Sequence, residues 1–280
     1  TIAIEDNIGN KKGFPRISFG NGGDKAKIMT IEQWGTGEWG EMTEAFYGCS
    51  NLTVPATDAP VFTAATQKLA SMFRNATVAN PDVSNWDVSL ITDMTTMFGY
   101  TTAANPDVSN WNMSNVTSIE NMFFNATAAN PNVSNWDTSE VLSMKAVFRG
   151  ATSANPDVSK WNTSKVTKME SMFQGATLAN PIMTYDPTPG SANGGGIAWD
   201  VSNVIQISNM FHTATSFNQD LSSWNIGTTA GVSSVATFFN ATAFDQSLAD
   251  WDISDFRNTT NMLSGSGIST ANYDATLIAW

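Results

Sequence analysis

Large apolar side chains recur along this chain at a fixed interval. Trp86, Trp111, Trp136 and Trp161 follow one another every 25 residues. Five phenylalanines keep the same interval, each directly after a Met or Val: Phe73, Phe98, Phe123, Phe148 and Phe173. Self-similarity with a period of about 20–50 residues is the signature of a repeat array, in which each unit buries its apolar face against its neighbours. The pattern therefore predicts one stack of short units.

Each unit contains two kinds of pattern. The stretch 105–111 alternates polar and apolar positions and contains Pro106, which is excluded from a helix interior, so it predicts a short strand. The apolar residues of 91–98 follow a one-sided spacing that predicts about two turns of α- or 3₁₀-helix. Ser89 precedes that stretch at an N-cap position. The predicted fold class is thus an α/β repeat, with short parallel strands on one face and short helical or 3₁₀ segments on the other.

The period also predicts the boundaries of the chain's three parts. Trp199 follows Trp161 after 38 residues, which is one unit plus 13, and the Pro- and Gly-rich surplus predicts a loop insertion near 183–197. Residues 1–40 are expected to cap one end, and 41–268 to form the repeats. Residues 269–280 are expected to form a C-terminal capping helix, whose apolar face would carry Tyr273, Leu277 and Trp280.

Composition and charge exclude several partners. The 280 residues carry a formal net charge of −12, with 13 basic residues scattered among 25 acidic ones. Binding to phosphate backbones or anionic membrane surfaces needs clustered Lys and Arg, so we expect no nucleic-acid partner. No apolar run reaches the ~18 residues of a membrane span, and we expect no membrane insertion.

Candidate catalytic residues are few. The single histidine, His212, has no motif that ties it to a nucleophile, and the single cysteine, Cys49, is expected to be a small buried apolar residue. Nucleotide-binding, zinc and EF-hand motifs are missing from the sequence. We therefore expect that the chain is not an enzyme and requires no cofactor.

A long motif relates the units to a known family. The string 85–94, Asn-Trp-Asp-Val-Ser-Leu-Ile-Thr-Asp-Met, continued by Met97-Phe98, resembles the BspA-like leucine-rich repeats of bacterial surface proteins. The segments 217–225, 30–39 and 264–280 resemble further parts of the same family, so that the resemblance covers roughly 28–280. It implies a leucine-rich-repeat solenoid in a cell-surface or secreted bacterial protein that acts in adhesion. A Trp in every unit marks a tryptophan-rich form of the repeat.

The Trp column has two interpretations. It predicts a buried structural core, and the alternative is an exposed aromatic stripe that stacks on sugar rings. We favour burial because each Trp flanks an aliphatic residue. The members are Trp86, Trp111, Trp136, Trp161, Trp199, Trp224 and Trp251.

Polar columns on the predicted sheet face give the candidate ligand-binding residues. If Pro106 and Val108 point inward, the residues between and beside them point outward, once in every unit. The predicted binding residues are Asp82, Asn85, Asp107, Asn110, Asn132, Asn135, Asp157 and Asp220. Stacked carboxylates repel one another, which leaves two alternatives open, a solvated polar face or a bound cation such as calcium.

Two functions stay open at the level of sequence. The first is an extracellular binding module of a bacterial surface adhesin, with a protein or glycan ligand held on the sheet face or on the Pro/Gly-rich insertion. The second is a structural spacer or self-association element, for example a homodimer, within a larger surface protein.

Overall fold

The computed structural model describes residues 14–183, 199–227 and 231–280. Three parallel strands form one small sheet near the start of the chain, in the order β1 (Phe14–Arg16), β2 (Glu38–Glu41) and β3 (Val61–Phe62). One helix, α1 (Thr270–Ala279), lies near the end. The loop insertion predicted near 183–197 lies, except for Met183, outside the described residues.

Between these elements, each repeat lies directly beside the next. A parallel β-bridge joins the same position of neighbouring repeats, and these bridges continue across the step of 38 residues between Lys168 and Gln206. The bridged positions are Lys68, Asp93, Ser118, Ser143, Lys168, Gln206, Ser233 and Asn258. The repeats therefore form a continuous stack from 68 to 258.

In each repeat one short stretch of backbone, for example 93–100, carries most of the hydrogen bonds to the neighbouring repeats. We call this stretch the ribbon. In the repeat that contains residues 93–100, the Thr96 N–H donates to the Glu120 carbonyl at 2.8 Å, and the Phe98 N–H donates to the Met122 carbonyl at 2.9 Å. The intervening N–H groups bond within the ribbon, as from Met97 to the Met94 carbonyl at 3.1 Å. Alternate N–H groups of one ribbon thus bind the carbonyls of the following ribbon.

The ribbon corrects the predicted position of strand and helix. The β-bridges lie in the stretch that the apolar spacing assigned to a helix, and none of them lies in 105–111, which was assigned to the strand. Thr96 and Tyr100 have φ values of 57° and 61°, and a right-handed helix cannot contain them. The turns that result have the same three-residue apolar spacing as a helix. Ser89 is accordingly not an N-cap, and its N–H donates to Asp87 Oδ1 at 3.0 Å.

Two aromatic columns fill the interior of the stack. The Trp column is buried, with at most 4% of any of its seven side chains exposed. Trp136 lies 5.9 Å from Trp161, ring centroid to ring centroid, with the rings 5° from parallel. The Trp136 indole N–H donates to the carbonyl of Val108 in the preceding repeat at 3.0 Å. In the Phe column, Phe98 and Phe123 stack in the same manner at 5.7 Å.

An asparagine ladder joins the repeats outside the core. Asn80 Oδ1 accepts from the Asn105 N–H at 3.0 Å, and Asn105 Oδ1 accepts from the Asn130 N–H at 2.8 Å. The ladder ends at Asp245, whose Oδ1 accepts from the Ser269 N–H at 2.7 Å. Its acceptors are Asn80, Asn105, Asn130, Asn155, Asn180, Asn218 and Asp245. These asparagines are not among the polar columns that the sequence predicted on the surface.

The helix α1 packs through only part of its predicted face, with Trp280 against the core and Tyr273 and Leu277 exposed. Tyr273 and Leu277 are 41% and 50% exposed, whereas Thr276 is buried and its hydroxyl accepts from the Leu248 N–H at 3.0 Å. Trp280 donates its indole N–H to the Leu248 carbonyl at 3.2 Å, as each Trp from 111 onward does to the repeat before it. The helix therefore replaces the Trp-bearing half of a further repeat.

Replacing a central Trp should destabilise the whole stack. Trp136→Ala removes a buried ring and should lower the free energy of unfolding by about 3–5 kcal/mol. Trp136→Phe keeps most of the apolar volume but leaves the Val108 carbonyl without its donor, which should cost about 1–3 kcal/mol. Urea unfolding followed by tryptophan fluorescence measures both, and an unchanged midpoint for Trp136→Ala would contradict the buried column.

The asparagine ladder should contribute to stability through its acceptor oxygens. Asn130→Ala leaves the Asn155 N–H without its side-chain acceptor and should cost about 1 kcal/mol. Asn110→Ala is the matched control, because the exposed Asn110 side chain makes no hydrogen bond within the described residues. Thermal unfolding should separate the two variants, and equal midpoints would mean that the ladder adds nothing.

Candidate functional site

The predicted polar columns lie on the surface, in turns that precede each Trp. The Asp107 carboxylate accepts from the Ser109 N–H at 3.0 Å and from the Ser109 hydroxyl at 2.6 Å. Asn132 makes the same pair of bonds with Ser134, at 3.2 and 2.8 Å. The five exposed members of this column, which we call the acidic column, are Asp82, Asp107, Asn132, Asp157 and Asp220. In each of these turns, one oxygen of the Asp or Asn side chain already accepts a hydrogen bond from the serine two residues later.

The neighbouring asparagines are placed differently. Asn85, Asn110 and Asn135 are exposed, and their side chains make no hydrogen bond within the described part of the chain. They lie three residues beyond the members of the acidic column, immediately before each Trp. Their amide groups are therefore available to a ligand.

Serine contacts lower the pKa of two members of the acidic column, Asp107 and Asp157. The Ser109 hydroxyl, and then its backbone N–H, hold the pKa of Asp107 below the usual aspartate range. Ser159 lowers the pKa of Asp157 in the same way, with a smaller contribution from Lys160. Across the described ranges, no three His, Cys, Asp or Glu residues come together as a metal site. The bonds to serine are thus the stabilising contacts of these carboxylates in the structure.

A second surface runs along the ribbons. In most repeats the residue directly after the buried Phe is at least partly exposed, with the buried Gly99 as the exception, and in several repeats it is aromatic or positively charged. Tyr100 belongs to the same surface, one residue further along its ribbon. We call this surface the aromatic–arginine strip, and its members are Tyr47, Arg74, Tyr100, Phe124, Arg149, His212 and Phe239.

Neighbouring members of the strip contact one another across repeats. The guanidinium carbon of Arg74 lies 4.9 Å from the ring centroid of Tyr47, and that of Arg149 lies 5.1 Å from the ring of Phe124. Tyr100 meets Phe124 edge-on, with 4.9 Å between ring centroids. These cation–π and edge-to-face contacts hold the side chains in fixed orientations at the surface.

His212 is part of the strip. Its ring stacks on Phe239 with 4.9 Å between centroids and an interplanar angle of 21°. Its Nδ1 lies 3.4 Å from the Thr213 hydroxyl. Cys49 is fully buried, and burial raises the pKa of its thiol to about 11, which keeps it protonated and unreactive at neutral pH.

The sequence does mark the strip, through a position that varies between otherwise regular repeats. Met or Val, Phe and Ala recur at fixed places in the ribbon because they fill the core. The position after Phe instead changes among Arg74, Gly99, Phe124, Arg149 and Gln174. A position that varies within a regular array is not fixed by the stack, which makes it a candidate for recognition.

The stacked ribbons, the aromatic columns and the asparagine ladder together define a protein built from repeats. The chain belongs to the family described as "Mycoplasma protein of unknown function, DUF285", which matches residues 18–130, 92–188 and 193–276. Comparison with the curated proteins and with the solved structures gave no match. Among the described residues, no helix has the length and apolar character needed to cross a membrane.

Asp107 and Asp157 should make the stability of the fold depend on pH. Because the pKa values of Asp107 and Asp157 are lowered in the folded state, their stabilisation is present above the unfolded value of about 4 and is lost as the pH falls through the folded value. The double variant Asp107→Asn, Asp157→Asn keeps an acceptor for serine, as Asn132 does, but cannot titrate. Urea unfolding at about pH 7 and pH 3 should show a smaller loss for the variant, and an equal loss would contradict this assignment.

Proposed function

We propose that this chain is the extracellular binding module of a bacterial surface adhesin, and that it attaches to a protein or glycan ligand. Membership of a bacterial repeat family supports the class of protein. The repeated Asn-Trp-Asp-x-Ser-x-Val-Thr-x-Met motif supports the finer relationship to BspA-like leucine-rich repeats. Under this proposal the stack is a leucine-rich-repeat solenoid, in which the parallel bridges from 68 to 258 form the strand side and Asn80 begins the asparagine ladder.

The observation that carries the proposal is the aromatic–arginine strip. Arg, Tyr and other aromatic residues dominate the binding energy of protein interfaces, because they combine apolar area with directed polar groups. Here they are partly exposed on adjacent repeats and already fixed by contacts such as Arg149 on Phe124. Such prior ordering reduces the side-chain entropy that a ligand must remove on binding.

The strip suits an elongated ligand that bears carboxylates. A guanidinium group stacked on a ring keeps its N–H donors at its edge, where they can bind a carboxylate in a bidentate manner. Arg74 and Arg149 lie three repeats apart, so one ligand would have to extend along the stack to reach both. An acidic protein segment and a glycan with acidic sugars both meet this requirement.

The acidic column is the weaker candidate for the same role. One oxygen of each of Asp107 and Asp157 is held by the serine two residues later, and a ligand would compete with that bond. Asn85, Asn110 and Asn135 remain available at its side and can extend the contact surface.

Removing the two arginines of the strip tests the proposal. Arg74→Gln with Arg149→Gln introduces a side chain that the column already holds at Gln174, so the fold should persist. Binding on peptide and glycan arrays, and attachment to host cells, should weaken by more than about tenfold, since truncated hot-spot arginines each cost about 2 kcal/mol or more.

The matched control is the double variant Lys160→Gln, Lys165→Gln. It changes the net charge by the same amount at two exposed lysines outside the strip. It should bind as the unmodified chain does. Equal binding by both double variants, or an equal loss in both, would show that the strip is not the recognition surface.

A further inference from the structure

The backbone hydrogen bonds give the stack a direction. In each ribbon, alternate N–H groups donate to the following repeat, and alternate carbonyls accept from the preceding one. Ser234, Ala236, Phe238 and Asn240 donate in this way to the last ribbon, 258–265. Each internal ribbon is therefore satisfied on both sides, and within the described residues the first and last ribbons each keep one side without partners.

The last ribbon presents donors. Its N–H groups at Thr259, Asn261, Leu263 and Gly265 occupy the positions that in earlier ribbons donate to a following repeat, and within the described residues they have no partner. Its carbonyls accept either from the preceding ribbon or from its own turns, as Thr259 does from the Met262 N–H at 3.0 Å. This C-terminal edge consequently offers hydrogen-bond donors without matching acceptors.

The first described repeat presents the complement. Phe19 and Asn21 donate their N–H groups to the carbonyls of Ala45 and Tyr47, as a ribbon does. The corresponding acceptor positions are the carbonyls of Ser18 and Gly20, and within the described residues these accept from no donor. Both residues are exposed. The N-terminal edge thus offers acceptors that match the donors of the opposite end.

The apolar column ends in the same complementary way. Phe19 is half-buried and lies 6.4 Å from Phe46, centroid to centroid, at the start of the Phe column. Leu263 is half-buried at its other end. Beside Leu263 lies a groove of about 340 Å³, with lining residues that include Met262, Tyr273, Leu277 and Trp280.

The helix α1 leaves this edge open. Asn272 Nδ2 donates to Asp245 Oδ1 at 2.8 Å, and Thr276 and Trp280 bond to Leu248, so the polar contacts of the helix go to the Trp-bearing half of the last repeat. The ribbon half forms the other wall of the groove, and Thr259, Asn261 and Gly265 remain exposed.

We propose that the C-terminal edge binds the N-terminal edge of a second copy of this chain. The interface would continue the pairing already present between repeats, with the Leu263 and Gly265 N–H groups facing the Ser18 and Gly20 carbonyls of the next copy. Two C-terminal edges cannot pair with each other in this way, because both of them offer only donors. Such a head-to-tail contact is heterologous and extends into a linear series. This self-association goes beyond the ligand binding proposed for the strip and uses different residues.

Sedimentation velocity over a range of concentrations tests the proposal on the full chain. The unmodified chain should form dimers and longer oligomers as its concentration rises. Leu263→Asp places a charge on the apolar part of the edge and should abolish association. Leu142→Asp is the matched control, since Leu142 is a 51% exposed leucine on an internal repeat, and it should associate normally.

A mixing experiment tests the polarity of the contact. Phe19→Asp blocks the opposite edge, and circular dichroism would first establish that both blocked variants remain folded. Each blocked variant should be monomeric alone. An equimolar mixture should form dimers and nothing larger, because the open N-terminal edge of Leu263→Asp binds the open C-terminal edge of Phe19→Asp. A monomeric unmodified chain, a series that ends at closed dimers, or association that survives Leu263→Asp would overturn the proposal. If Phe19→Asp fails to fold, the comparison of Leu263→Asp with Leu142→Asp still decides it.

Discussion

The structure depends on one backbone constraint, the alternation of hydrogen bonds within the ribbon. Each ribbon places residues such as Thr96 and Tyr100 at left-handed φ values, so that successive N–H groups point alternately along the chain and toward the next repeat. For residues other than glycine this conformation costs about 1–2 kcal/mol. The inter-repeat hydrogen bonds offset that cost at about 1 kcal/mol each, but a single ribbon without a neighbour has nothing to offset it. Stacking is therefore a condition for the ribbon to form at all.

The same constraint determines which side chains are free to vary. At Gly150 an added Cβ would lie 1.9 Å from Asn125 Oδ1 of the preceding repeat, so a side chain there would displace that amide, although the equivalent position of another repeat holds Tyr100 at a similar φ. Phe98 and its equivalents are fixed because each ring packs on the next. In most repeats the position after Phe reaches the surface, whereas Gly99 at the same position is buried. An arginine, a phenylalanine or a histidine is accepted there, which is how a structurally uniform stack carries a non-uniform surface.

Periodicity alone was sufficient to predict the repeat interval, the apolar columns and the segment that forms α1. It could not distinguish a helix from the ribbon, because a three-residue turn that recurs beside a neighbour has the same apolar spacing as a helical face. It also could not predict hydrogen bonds between residues that are 25 apart, and so the role of Asn105 in the ladder was missed. The acidic column was placed on the surface by its alternation with Pro106 and Val108, but the bond from Ser109 to Asp107 depends on a local turn that alternation does not reveal. Arg149 was overlooked because a search for repetition ignores positions that fail to repeat.

A stack with directed hydrogen bonds cannot have two equivalent ends. Between internal repeats, ribbon donors of this kind are paired with acceptors of the following ribbon. The direction of the hydrogen bonds therefore leaves one side unpaired only at the first and last ribbons of the described stack. Edge strands in other proteins face this problem with both donors and acceptors exposed, and they can therefore pair in several orientations. Within the described residues, Leu263 and its neighbours offer donors while Ser18 and Gly20 offer acceptors, and this chemistry favours pairing in one orientation. The Trp-bearing half of the last repeat is closed differently, since Trp280 supplies the indole that a further repeat would have brought and Thr276 satisfies the Leu248 N–H. The helix therefore covers the Trp-bearing half of the last described repeat. The ribbon half of the same repeat keeps its backbone donors exposed.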